Sequence, residues 1–248
     1  MVLESLIDPL KAKEKPWKLF FYGFLFCSLA IFISLWVFEA NASMLFVFLT
    51  VLGSAPSIRE AIRLEEKKDL QNLSEETLLK EHAQTLSFFM FLFFGVTLAC
   101  TLWYSSLPSA TLNHLFKSQV NTITAINSQV VSDFSVSTVH FSKIFFNNIK
   151  VLVFCILFSF IYGIGAVFIL TWNASVIGVA IGNFIRTNLA EYSSLLGFEK
   201  VAIYTQVVSF GLLRYLLHGI PEILAYFTAG MAGGIISFAI INHDFSNK

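Results

Sequence analysis

Charged side chains make up only 13% of this sequence, 16 of each sign, so no basic surplus points to nucleic acid as a partner. Catalytic signatures are missing as well. There is no Gly-x-Ser-x-Gly elbow, no His-Glu-x-x-His pair and no Gly-x-x-x-x-Gly-Lys phosphate loop. The expectation is a protein that is not an enzyme and uses neither cofactor nor metal. Cysteine is sparse: Cys27, Cys100 and Cys155 each fall inside an apolar run, without metal-like spacing or a disulfide framework, and read as buried thiols. No internal repeat with a period of roughly 20–50 residues is visible. Lys11, Lys13 and Lys15 precede an apolar run, but that run is long and has no small-x-small cleavage site. It reads as a first transmembrane helix, not as a removed signal peptide.

What the sequence does have is apolar mass. Hydrophobic residues form 56% of it and Phe alone contributes 28. A soluble domain of this length could not hide so much apolar surface. The expected fold is all-α: a single polytopic membrane domain over 1–248, with about six transmembrane helices in the lipid bilayer. Trp17–Phe38 is a clean first span with Trp17 and Trp36 at interface depth. Ala42–Ala55 is a shorter second one ending at Pro56. Leu86–Leu107 and Val151–Trp172 read as the third and fourth. Residues 173–186 are long enough for only half a crossing, which suggests a re-entrant half-helix covered by other protein.

Two polar segments interrupt the apolar runs. Residues 57–85 carry Arg59, Arg63, Lys67, Lys68 and Lys80 among seven carboxylates. They read as a solvated helical hairpin, with a helix start at Ser74-Glu75-Glu76-Thr77. Residues 108–140 are rich in Ser, Thr, Asn and Gln; Leu112, Leu115, Phe116, Val120, Ile123 and Ile126 form a helical stripe. This suggests an amphipathic helix lying along the membrane. Lys and Arg are denser in 1–18 and 57–85 than in 108–148, which puts the N-terminus and the hairpin in the cytoplasm and 108–140 outside.

The densest polar and helix-breaking pattern lies in Leu213–Gly234. Arg214, His218 and Glu222 stand four apart and would share one face of an unbroken helix. Gly219 and Pro221, however, suit the end of one helix and the first position of the next, so His218–Glu222 reads as stop, turn and start. Three readings of these ionisable residues stay open: a structural turn with a local Arg–His–Glu network, ion or proton handling, and, least favoured, metal binding. Small residues recur at four-residue spacing as Ala225, Ala229 and Gly233, with Gly230 and Gly234 one step round, and as Ala174, Gly178 and Gly182. Such stripes let membrane helices approach backbone to backbone, within the molecule or between copies in a homo-oligomer. Asn147, Asn148, Asn173 and Asn183 are either interfacial polar residues or interhelical hydrogen-bonding groups.

At FFNNIKV (145–151), SFIYGIGA (159–166), TWNASVIGVAIGNFIR (171–186) and LLRYLLHGIPEILAYFTAGMAGG (212–234) the chain resembles the stage II sporulation protein M family, and most of all its archaeal-type members. These stretches define a family core over 141–242. Asn147, Asn148, Gly163, Asn173, Gly178, His218, Gly219 and Glu222 fall on family motif positions to which no catalytic role is assigned. Leu217 stands where bacterial members usually have Pro, and Pro221 follows Ile220 instead. The resemblance implies a multi-pass cell-membrane protein without catalytic chemistry; in spore formers the family member anchors cell-wall hydrolases. The function expected here is a membrane scaffold that recruits partner proteins of the membrane or envelope. The alternative is a small-solute or ion transporter using Arg214, His218 and Glu222.

Overall fold

A computed structural model describes residues 16–69, 75–131, 137–162, 165–192 and 197–241. Gly163 lies outside these residues, as do the side chains of Asn147, Arg214, His218 and Pro221. The described residues form helices and no strand. In chain order the helices are α1 (Lys18–Val37), α2 (Ala42–Asp69), α3 (Glu75–Ser106), α4 (Ser109–Leu115), α5 (Lys117–Val131), α6 (Ser137–Tyr162), α7 (Gly165–Glu191) and α8 (Gly197–Ile241). A short 3₁₀ turn, Glu39–Asn41, joins α1 to α2.

Helix α3 is the hub. Gly23 of α1 lies against Leu92, Cys27 Sγ meets Cys100 Sγ at 3.7 Å, and Trp103 donates to Ser28 at 3.0 Å. Both numbers rise together, so α1 and α3 run parallel. On its other side α3 runs parallel to α7, from Gly178 beside Thr97 to Arg186 beside Leu107. The core is thus a row of three parallel helices, α1–α3–α7. The antiparallel α2 and α8 flank it, and α6 packs on α7 and α8. Phe227 of α8 stacks on Phe89 and meets Phe93 edge-on, both from α3.

Four helical segments among the described residues are long and apolar enough to cross a membrane: 18–37, 39–65, 80–106 and 167–191. The first coincides with the span expected at Trp17–Phe38. The others differ from expectation in ways that share one cause: in hydrocarbon every unbonded backbone group costs several kcal/mol, so helices run on through residues that would end them in water.

The expected second span does not stop at Pro56. Helix α2 continues through it for 28 residues in all. The charged segment 57–85 supplies the end of α2 and the start of α3, which begins at Glu75 within the expected helix start; residues 70–74 lie outside the described residues. The half-helix expected at 173–186 is a correction too. These residues lie within α7, one continuous helix of 27 residues. Residues 165–172, expected in the fourth span, are part of α7. Asn173 is no boundary, because its amide donates to Ile169 O at 2.9 Å, one turn back in the same helix.

The largest correction concerns Gly219 and Pro221. Helix α8 passes through both as a single helix of 45 residues. A proline inside a helix removes one hydrogen bond, whereas a stop and restart would orphan up to about four carbonyls and four amides. In an apolar setting the single loss is the cheaper one. Finally, the first half of the amphipathic stripe of 108–140 packs on protein: Leu112, Leu115 and Phe116 are buried and Val120 and Ile123 half-buried, while the Ile126 side chain lies outside the described residues. The Phe116 ring packs on Phe46 of α2 and Tyr104 of α3 at 5.5 Å between centroids.

Candidate functional site: the polar seam of α3 and α7

Helix α7 comes closest to α3 at Gly178 and Gly182. A Cβ on Gly178 would sit 2.6 Å from Thr97 O and 2.7 Å from Cys100 Cβ. One on Gly182 would sit 2.8 Å from Tyr104 Cβ. This proximity lets α3 donate hydrogen bonds to the backbone of α7. Thr101 Oγ1 donates to Gly178 O at 3.1 Å while also reaching Thr97 O at 2.9 Å. Ser105 Oγ donates to Thr101 O at 2.7 Å and lies 3.5 Å from Gly182 O. Tyr104 OH donates to Asn183 Oδ1 at 3.3 Å.

The seam ends at Arg186. Its guanidinium donates to Leu107 O at 2.6 Å, to Tyr104 O at 3.4 Å and to Ser109 Oγ at 2.9 Å. A cation over the last carbonyls of α3 both satisfies acceptors left open by the helix end and complements its dipole. Beside it, Gln119 of α5 is fully buried and donates to Ser43 O at 3.1 Å and Ser175 Oγ at 3.3 Å. Its Oε1 has no partner among the described residues. Gln119 thus clips α5 to the first turn of α2 and to the middle of α7.

A second polar cluster lies at the opposite end. The Glu65 side chain, 0% exposed, accepts from Thr85 Oγ1 at 2.6 Å and from His82 Nδ1 at 2.9 Å. This holds the two projecting arms of α2 and α3 in register. Lys80 and Glu76 pair at 2.7 Å on the exposed side of the α3 arm.

The expected Arg214/His218/Glu222 set appears only in part. Among the described side chains, Glu222 accepts from Tyr226 OH one turn further along α8, and Tyr226 is buried. Gly230 and Gly234 are buried in α8, Gly219 lies within its length, and Asn148 is half-buried on α6. No cluster of three or more His, Cys, Asp or Glu with metal-binding geometry occurs among the described residues. A narrow crevice of about 20 Å³ lies between α2, α3, α7 and α8, walled by Ile58, Phe93, Val167, Ala174 and Phe227.

Sequence reasoning found the glycine face of α7 but missed what it packs against. The signal was present: Thr97, Thr101 and Ser105 recur every fourth residue in α3, the small polar counterpart of Gly178 and Gly182. Arg186, Gln119 and Glu65 were also passed over, being single polar residues with no local pattern. Among known proteins, the sequence model of one family, stage II sporulation protein M, matches residues 19–248. No curated protein and no solved structure matches the chain.

Proposed function

We propose a role for this chain from a settled premise: it belongs to the stage II sporulation protein M family. It is a membrane protein, and its role is that of a non-enzymatic scaffold that recruits partner proteins. Six helices, α1, α2, α3, α6, α7 and α8, cross the cell membrane, with α8 crossing once. The start of α1, the arms around Glu65 and the end of α8 then share one side, and the Lys/Arg bias makes that side cytoplasmic. Helices α4 and α5, the end of α7 and the start of α8 face outward.

The observation that carries this reading is charge carried on ordered helix at the facing ends of α2 and α3. Arg59, Glu60 and Arg63 lie within α2, and Glu76, Lys80 and Glu81 lie within α3. A buried carboxylate with two hydrogen-bonded partners joins the projecting arms where they leave the bilayer. A rigid, charged platform of this kind suits the docking of a cytoplasmic partner. Site-specific photo-crosslinkers at Arg63 and at Lys80, both exposed, should capture the same partner from cells. Failure of either position, and of affinity purification from membranes, to yield any reproducible partner would defeat the reading.

The transporter alternative rests on one observation, the Glu222 carboxylate inside α8 with Tyr226 as its donor. It predicts solute or ion flux in proteoliposomes that Glu222→Gln abolishes. Flux absent from the unaltered protein across a panel of cations and small solutes would dispose of it.

A further inference from the structure

Past the end of α3 the helices α7 and α8 continue together, and a groove of about 350 Å³ opens between them. Its wall is formed by Phe184 and Asn188 from α7, by Tyr192 just past its end, and by Gln206, Val207 and Phe210 from α8. Gly211 sets its inner end: a Cβ there would sit 3.0 Å from Phe184 Cδ1, so the two helices close tightly at that point and part beyond it. Its depth follows from the neighbouring helix ends. Arg186 lies level with Leu107 and Ser109, where α3 stops, and the apolar window of α7 ends at Glu191. The groove therefore lies where hydrocarbon gives way to headgroups.

Its chemistry is specific. Three aromatic rings and two carboxamides line it, and no Lys, Arg, Asp or Glu is among its described walls. Carboxamides offer donor and acceptor together. Asn188 ties its N–H to Phe184 O at 2.7 Å, which keeps its carbonyl oxygen as an acceptor. Arg186, a nearby described cation, is committed to the carbonyls of α3 and to Ser109. Phosphate is bound most strongly by Arg, Lys or a free helix N-terminus, and the described walls supply none of these. A sugar ring, by contrast, presents C–H faces to aromatic rings and hydroxyl groups to carboxamides. The volume lies within the range of small-ligand sites, roughly 300–1,000 Å³.

We propose that this groove binds the uncharged sugar headgroup of a membrane glycolipid. The site is separate from the scaffold reading and does not depend on it. The test uses the full chain in nanodiscs, with monoglucosyl diacylglycerol or phosphatidylglycerol of matched acyl chains as probes and native mass spectrometry as the readout. Free glucose distinguishes a lipid-borne sugar from a soluble one. Gln206 and Tyr192 are both exposed, so Gln206→Leu and Tyr192→Phe remove hydrogen bonding without opening the core. The glucolipid should be retained in preference to phosphatidylglycerol. Each variant should lower that retention by about 3–10-fold, with the phospholipid and the melting temperature unaffected. Should Gln206→Leu melt early, Tyr192→Phe decides. Equal retention of the two lipids, retention unchanged in the variants, or displacement by free glucose as effective as by the lipid would each overturn the proposal.

Discussion

Replacing Gly178 by alanine tests the α3–α7 seam with the smallest available perturbation. The added methyl would start 2.6 Å from Thr97 O and 2.7 Å from Cys100 Cβ, both far inside ordinary contact. Neither neighbour is the free end of a flexible side chain, so the helices must part by several tenths of an ångström or more. Overpacking of this kind costs about 1–3 kcal/mol. Separation also weakens the Thr101–Gly178 hydrogen bond, which is worth on average ~0.6 kcal/mol between membrane helices. Against this, alanine is the better helix former by up to about 1 kcal/mol. The net expectation is a loss of about 1–3 kcal/mol, or roughly 2–12 °C in melting temperature for a chain of this size.

Gly53→Ala supplies the control. Its nearest neighbours are side-chain atoms of Phe26 at 3.6 Å, an ordinary contact, so only the propensity gain remains and stability should hold or rise. Both variants would be followed by fluorescence-detected size exclusion after heating in detergent. If Gly178→Ala and Gly53→Ala melt within about 1 °C of each other, the claim that this seam is packed to its limit is wrong.

Three further expectations follow from the other polar contacts and from α8. Glu65→Ala removes the acceptor shared by Thr85 and His82 and should cost about 1–3 kcal/mol, with faster proteolysis of the projecting arms; unchanged cleavage would contradict it. Arg186→Gln should raise amide hydrogen exchange in α4 and at its junction with α3, because the guanidinium bridges Leu107 O and Ser109, while Arg186→Lys should recover part of the protection. Equal exchange in all three proteins would remove the capping role. Spin labels at exposed Val201 and Ile236 should report a separation of about 52 Å, the rise of an unbroken helix over that interval. A much shorter distance would restore the hinge at Gly219 and Pro221.

The apolar runs announced the helices, and Phe-rich composition announced the membrane, because burial in lipid needs little beyond apolar side chains. Element ends were less legible. Pro56, Gly219 and Pro221 carry strong stop signals in water, where an unbonded carbonyl finds a solvent partner. Those signals lose their force in hydrocarbon, and α2 and α8 run through them. Asn173 misled in the same direction, since its amide turns back onto Ile169 O and the helix continues. The glycine face of α7 was readable from its spacing alone. Its partner stripe on α3, Thr97, Thr101 and Ser105, has the same spacing, but it lies some eighty positions earlier and nothing local says that these two stripes meet. Gln119 and Glu65 were hidden for a related reason: each acts through residues brought near only by the packed bundle.

The parallel row α1–α3–α7 also bears on biogenesis. A growing chain delivers α1 and α3 early, and the groove on α3 that receives α7 then waits until α4, α5 and α6 have been made. A bare hydroxyl facing acyl chains would be an expensive thing to leave waiting. Thr101 avoids that cost, because its oxygen already bonds to Thr97 O within its own helix and adds Gly178 O only on arrival. The ribosome can therefore lay down half of this joint well ahead of the other half.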